Sequence, residues 1–219
     1  MMKFGVSTCY TRSANNSWLG HLIGDYLVGL KSLFYDDKIE KSNCGVGFIT
    51  RKDGKQTHQL LELGHEALCS VPHRGGMASD GVGDGAGVSV DLSLNFFKKL
   101  TGKELTKGLF GVGNFFLPET SREKLAAEKI VNSVLLKFEL KVVLVRDLPV
   151  NKKCLTKNQR YSQLPIRQWI FISNSKRTTK EFANAIYKAL LAIEKKAFTL
   201  DSLKGLYPIS MSSQMQVFK

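Results

Sequence analysis

Two segments of this chain, CGVGFIT (residues 44–50) and LFGVGNFFL (Leu109–Leu117), have the length and apolar content of strands. They interleave glycine and aromatic residues where a doubly wound parallel sheet would carry continuous valine and isoleucine. That difference favours a layered α+β fold with helices packed outside stacked sheets, so that strands are buried on both faces and lose clean alternation. Further strands are expected at AGVSVDL (Ala86–Leu92), LKVVLVR (Leu140–Arg146) and QWIFIS (Gln168–Ser173). Thr120 with Glu123, and Thr178 with Glu181, have capping-box spacing. The first pair precedes Ala127, Ile130, Val131, Val134, Leu135 and Phe138; the second precedes Phe182, Ile186, Ala189, Leu190 and Ile193. Both sets fall at helical intervals. Another helix is expected over Leu60, Leu61, Gly64, Ala67 and Leu68, between a turn at Asp53-Gly54 and Pro72. The stretch FTLDSLKGLYPI (198–209) reads as a hairpin or as a strand and loop.

At 219 residues and 43% hydrophobic content the chain supports one sizeable core, hence one domain plus an appendage. Composition changes before Cys44: residues 1–43 mix Ser, Asn and Gly with a candidate short amphipathic helix and read as a lead-in outside the core, leaving 44–219 as the domain. The apolar stretch WLGHLIGDYLVGL (18–30) is broken by His21 and Asp25 and is shorter than the roughly 20 residues a bilayer crossing needs, so no membrane span is expected. The start also lacks the pattern of a secretory signal. Cys9, Cys44, Cys69 and Cys154 form no CxxC pair, which points away from zinc and disulfide frameworks and towards a reducing cytoplasm. Lys and Arg outnumber Asp and Glu by 32 to 19, a formal charge of +13, yet the basic residues are scattered. Their densest patch, Lys152, Lys153, Lys157 and Arg160, has only Tyr161 beside it for stacking, so a solvated basic surface is expected and a nucleic-acid partner is not.

Three places carry potential chemistry. Cys44 opens a strand, where most free cysteines are small core residues. His73-Arg74-Gly75 follows the first helix, where a terminating turn with an exposed arginine is the ordinary outcome. GVGDGAG (81–87) invites comparison with a phosphate loop, but it lacks the Lys-Ser/Thr ending and leads into a strand.

Taken together, SLFYDDKIEKSNCGVGFI, the PHRGG that ends the helix, and GDGAG, in that order and at about the same spacing, resemble the amino-terminal glutaminase domain of glutamate synthases. These are class II glutamine amidotransferases within the N-terminal nucleophile hydrolases. LFGVGNFFLP, VVLVRDLPV, LPIRQWIFIS and SLKGLYPISMSSQM extend the likeness from about Leu33 to the end, whereas the first thirty or so residues match nothing. The resemblance implies a four-layer αββα sandwich, incomplete at its C-terminal side. It implies cleavage at Asn43-Cys44, after which Cys44 supplies both the nucleophilic thiol and, through its α-amine, the base. A thiol pKa near 8.5 and an amine pKa of about 7.7–8 make that proton transfer feasible. Gly45 and Gly47 would allow close approach of backbone to substrate or a packed neighbour. Arg74 would lie beneath the active-site loops, Asp84 would hold backbone donors or pair with Arg74, and His73 would be structural. The loop between HRGG and GDGAG is one residue shorter than usual.

Motifs resembling HSRFSTN and HNGEIN, which in the family clamp the glutamine α-carboxylate and stabilise the oxyanion, do not occur. The expectation is therefore either a glutaminase part that works with remaining glutamate synthase portions, or an inactive remnant or scaffold of the same fold. Glutamine is the expected substrate. No cofactor or metal is expected in this chain; FMN and an iron–sulfur cluster belong to the rest of the complete enzyme. An incomplete domain is also expected to expose apolar surface and free edges on LFGVGNFFL and QWIFIS.

Overall fold

A computed structural model describes residues 2–6, 45–70, 86–151, 153, 160 and 163–218. Two sheets, each of four strands among these residues, carry the fold. The first has the order β2-β1-β3-β8, formed by β1 (Met2–Val6), β2 (Gly45–Ile49), β3 (Gly87–Asp91) and β8 (Met215–Phe218). The second has the order β5-β6-β4-β7, formed by β4 (Phe110–Phe116), β5 (Leu140–Asp147), β6 (Ile166–Ser173) and β7 (Tyr207–Ser212). All six strand pairings with a described register are antiparallel. Four α-helices among the described residues accompany them: α1 (His58–Cys69), α2 (Leu94–Thr101), α3 (Ser121–Lys137) and α4 (Thr179–Thr199). The α+β class expected from the sequence is present. No helix of the described residues is long and apolar enough to cross a membrane.

The second sheet carries the main core. Phe115, Trp169 and Phe171 lie fully buried in one apolar cluster with Ala127, Val131, Val134 and Leu135 of α3 and Phe182, Ile186, Ala189 and Ile193 of α4. Phe115 meets Trp169 edge to face at 5.2 Å, an arrangement aromatic rings prefer. Glycine makes room for these rings. A Cβ on Gly111 would come within 2.4 Å of Phe171 Cε2 and 3.0 Å of Ile186 Cδ1, and one on Gly113 within 2.7 Å of Phe115 Cε2. The glycine–aromatic mixture that marked this strand in the sequence is therefore a packing device. The indole N–H of Trp169 donates to Asn132 Oδ1 on α3 at 2.9 Å, so its one polar atom is satisfied inside the core.

α4 opens with the complete expected box: the Thr178 hydroxyl accepts from the Glu181 amide while the Glu181 carboxylate accepts from the Thr178 amide at 2.8 Å. At α3 the Thr120 hydroxyl accepts from the Glu123 amide, but the Glu123 carboxylate accepts from the Thr120 hydroxyl instead of its amide, so only half of the box forms. Between β3 and β4 stands α2, a helix the sequence reading passed over. Ser93 caps its start and Gly102, at φ 64°, ends it in the left-handed region. Its Phe97 is buried with Leu92, Leu105, Phe110, Val112 and Ile170 on the opposite face of the second sheet. Residues 198–209 form no hairpin: the end of α4, a 3-10 turn at Asp201–Leu203 and the start of β7 fill that stretch.

Three expectations need correction. LFGVGNFFL and QWIFIS expose neither edges nor apolar faces, because β4 lies between β6 and β7, β6 lies between β5 and β4, and Phe110, Val112, Phe115, Trp169, Ile170 and Phe171 are all buried. The segment read as a buried strand, β2, is instead an edge strand: Val46 is 80% and Phe48 70% exposed, while Ile49 turns to the α1 side. Gly47 has no close neighbour either, since a Cβ there would meet nothing within 4 Å. The 1–43 segment, expected outside the core, contributes β1 between β2 and β3, with five register pairs to one and three to the other. The remainder of that segment, and the basic patch apart from Lys153 and Arg160, lie outside the described residues.

Replacing Gly111 by alanine is expected to lower the unfolding free energy by about 1–3 kcal/mol through overpacking. Gly47→Ala, with open space around it, should change it by less than about 0.5 kcal/mol; urea unfolding of the two variants checks the contrast. Arg167 donates from Nε to Asp147 at 2.6 Å and holds that carboxyl below its ordinary range, as the Thr178 amide does for Glu181. Both groups are depressed in the fold, so their contribution is present above the unfolded carboxylate range, about pH 4. It fades as pH falls further, and stability measured by urea titration should decline below about pH 4, less steeply in Asp147→Asn.

Candidate functional site

Of the residues singled out from the sequence, only Gly45 and Gly47 fall within the described chain. Cys44, Arg74, Asp84 and His73 lie outside it. The described strands nonetheless fix where those segments attach. Gly5 of β1 pairs with Val46 on one side and Gly87 on the other, so β2 and β3 run in the same direction and both begin at one end of the first sheet. From Thr50, at the other end, the chain turns at Asp53-Gly54 and enters α1, which packs on the sheet with Leu60 and Leu68 in a cluster with Ile49, Val88 and Val90. Its 12 residues span about 18 Å, close to the roughly 17 Å of five-residue β2. Gly45 and Gly87, which open β2 and β3, thus lie at one end of the sheet. Gly45, the first residue of β2, pairs there with Val6.

A second feature lies between the sheets. Gln168 and Asn114, fully buried at the centre of the second sheet, face β8 of the first. Gln168 Nε2 donates to Asn114 Oδ1 at 2.9 Å and to Gln216 Oε1 at 3.2 Å, and Asn114 Nδ2 donates to the Val217 carbonyl at 3.0 Å. On the remaining side, Arg146 Nε donates to Gln168 Oε1 at 2.8 Å. Each side chain in this chain of bonds has a partner, which is the condition under which buried polar groups specify a packing arrangement without a desolvation penalty. No sequence signal short of the paired register identifies it: Asn114 opposes Gln168, and Arg146 opposes Gln168, only once the strands are aligned.

The network ends at a cavity of about 420 Å³. Its walls include Thr50, Thr57, Leu60, Phe96, Arg146 and Gln216. This cavity sits at the Thr50 end of β2, on the order of 17 Å from the Cys44 end. On its rim Arg51 and Asp53 form a two-pronged pair at 2.9 and 2.7 Å, and the Arg51 guanidinium holds the Asp53 carboxyl down to about 2.

Comparison with known proteins bears on the other end of the sheet. The family model for class-II glutamine amidotransferases matches residues 44–219, so its span begins at Cys44, and the chain belongs to that family. Within it, the chain corresponds to the amino-terminal amidotransferase domain of the glutamate synthases. It is 32% identical over 190 residues to the glutamate synthase [NADPH] large chain of Azospirillum brasilense, and 34% identical over 193 residues to that of Bacillus subtilis (strain 168). Each alignment covers 84% of this chain and 12% of the relative. It is 31% identical over 187 residues to ferredoxin-dependent glutamate synthase 1, chloroplastic/mitochondrial, of Arabidopsis thaliana, covering 82% of this chain and 11% of that protein. The chain spans about an eighth of the length of these relatives.

Gln168→Leu removes the hub of the polar network and leaves Asn114, Gln216 and Arg146 short of partners. Each orphaned group costs about 1–3 kcal/mol, so a loss of at least 2 kcal/mol in urea unfolding is expected. The double change Asn114→Leu/Gln168→Leu should recover part of that loss, because both partners of one bond are then apolar.

Proposed function

We propose that this chain is the glutaminase part of a glutamate synthase, hydrolysing the side-chain amide of glutamine with Cys44 as nucleophile. The observation that carries the reading is the shared end of the first sheet. β2, which follows Cys44 in the chain, and β3, which follows the segment bearing Asp84, both begin there, and the family match begins at Cys44. The names of the relatives support the substrate and the setting.

The chemistry follows from a cysteine whose own amine is free. The amine takes the thiol proton, the thiolate attacks the amide carbon, and the C–N bond breaks with the proton delivered to nitrogen, releasing ammonia. Water then hydrolyses the glutamyl thioester to glutamate and restores the thiol. Gly45 keeps the backbone beside the nucleophile open, Arg74 organises nearby carboxylates or carbonyls, and Asp84 holds backbone donors or pairs with Arg74. The glutamine clamp and the oxyanion donors come from remaining glutamate synthase portions, because the corresponding motifs do not occur in this sequence. Losing one oxyanion donor costs about 2.7–4 kcal/mol of transition-state stabilisation, which makes those portions necessary for efficient turnover.

The fold completed by these portions is a four-layer αββα sandwich, and the bare face of β2, with Val46 and Phe48 exposed, is a surface they would cover. FMN and the iron–sulfur cluster belong to those portions, in a cytoplasmic enzyme. A second reading, an inactive scaffold of the same fold, is favoured by the absent motifs alone.

Intact mass under denaturing conditions should show loss of residues 1–43. The released peptide should co-purify under native conditions, since β1 is hydrogen-bonded between β2 and β3. Diazo-oxo-norleucine should label Cys44 once the remaining portion is supplied, and Cys44→Ala should abolish both cleavage and labelling. A full-length mass with no labelling in the assembled protein selects the scaffold.

A further inference from the structure

The cavity at the Thr50 end of β2 takes no part in the chemistry above, yet its walls have the makings of a ligand site. Leu60, Val90, Phe96 and Phe218 supply apolar sides. Against them stands one guanidinium. Arg146 is anchored at Nε by Gln168 and lies over the Phe96 ring at 5.8 Å. Among the described residues its two terminal nitrogens have no acceptor and no carboxylate shares its charge. Burial alone acts on it, pushing its pKa below the ordinary value, while a guanidinium keeps its proton across the physiological range. The result is a fixed, partly desolvated cation with its outer edge free, the planar fork that carboxylates and phosphates fit in two-pronged fashion.

A second, independent feature points the same way. The first turn of α1 lines the cavity, and Thr57, at its N-cap position, makes no capping bond; its Oγ1 is buried without a partner. Rotation about its Cα–Cβ bond would bring this uncommitted hydroxyl to an acceptor in the cavity, beside amides that the helix itself leaves unpaired. Lys55 on the rim has no ion pair among the described residues, whereas Asp53 is held by Arg51 and Asp91, also on the wall, has a partner of its own. At about 420 Å³ the space falls within the range of small-molecule pockets, roughly 300–1,000 Å³.

We propose that this cavity binds a small organic anion, its carboxylate or phosphate group seated on Arg146 and Thr57 and its apolar body against Leu60, Val90 and Phe96. The site is separate from the Cys44 end of the sheet and does not depend on glutamine hydrolysis.

Titration of the full chain with phenyl phosphate and with benzoate tests this, with inorganic phosphate and benzyl alcohol as the two halves of the ligand. Calorimetry should show saturable, one-to-one binding of phenyl phosphate or benzoate at least about tenfold tighter than either half, and chemical-shift changes should centre on Thr57, Phe96 and Arg146. Arg146→Met should weaken binding at least about tenfold, the scale of one charge-assisted pair, and Lys55→Gln, an exposed change that leaves the core untouched, by about two- to threefold. If Arg146→Met does not fold, the wild-type shift map decides. Absence of saturable binding by both aryl probes, shifts centred elsewhere, inorganic phosphate binding as tightly as phenyl phosphate, or affinity unchanged in a folded Arg146→Met variant would each overturn the proposal.

Discussion

The main core rests on the seating of two phenylalanine rings over glycine. Phe115, Trp169 and Phe171 are buried with helices α3 and α4 against the second sheet, and Phe171 and Phe115 fit because Gly111 and Gly113 present no Cβ beneath them. Large aromatic side chains dominate the energetics of a core, and here they do so from two neighbouring strands in antiparallel register. That packing makes the second sheet a rigid platform. Its opposite face is then available for a different task, with Phe110, Val112 and Ile170 packed against α2 and with Asn114, Gln168 and Arg146 exchanging hydrogen bonds.

The contrast between the two sheets is one of completeness. The second is covered on both faces and its central strands are flanked on both sides. The first has its edge at β2, where two large apolar residues meet solvent, and its interior includes a strand from the extreme N-terminus. Exposed apolar pairs on an edge strand are unusual in a self-sufficient domain. They agree with a chain that covers about an eighth of the length of its glutamate synthase relatives.

The two ends of β2 differ. At one end β2 and β3 both begin, directly after Cys44 and the glycine-rich stretch in the chain. The other opens onto a cavity where Arg146, fixed by Gln168, and the uncapped start of α1 converge. The inter-sheet hydrogen bonds join Gln216 of the first sheet to Gln168 of the second, so the cavity wall is built from both sheets and depends on their relative placement.

Local rules sufficed for much of this. The N-caps at Thr120 and Thr178 and the helical stripes behind them gave α3 and α4, because capping and periodicity are contacts within a few residues. Motif order placed the chain in its family and singled out Cys44, since glycine and cysteine spacing reflects chemistry carried along the chain itself. Which strands are central was decided only by tertiary structure. CGVGFIT and LFGVGNFFL look alike as strings, yet one lies at an edge and the other in the middle of a sheet, because strand neighbours come from residues far away in sequence. The same holds for β1, whose pairing partners lie about forty and more than eighty residues downstream. It holds also for the cavity, since Arg146, Gln168, Gln216 and Thr57 acquire a common role only when two sheets and a helix are brought into register.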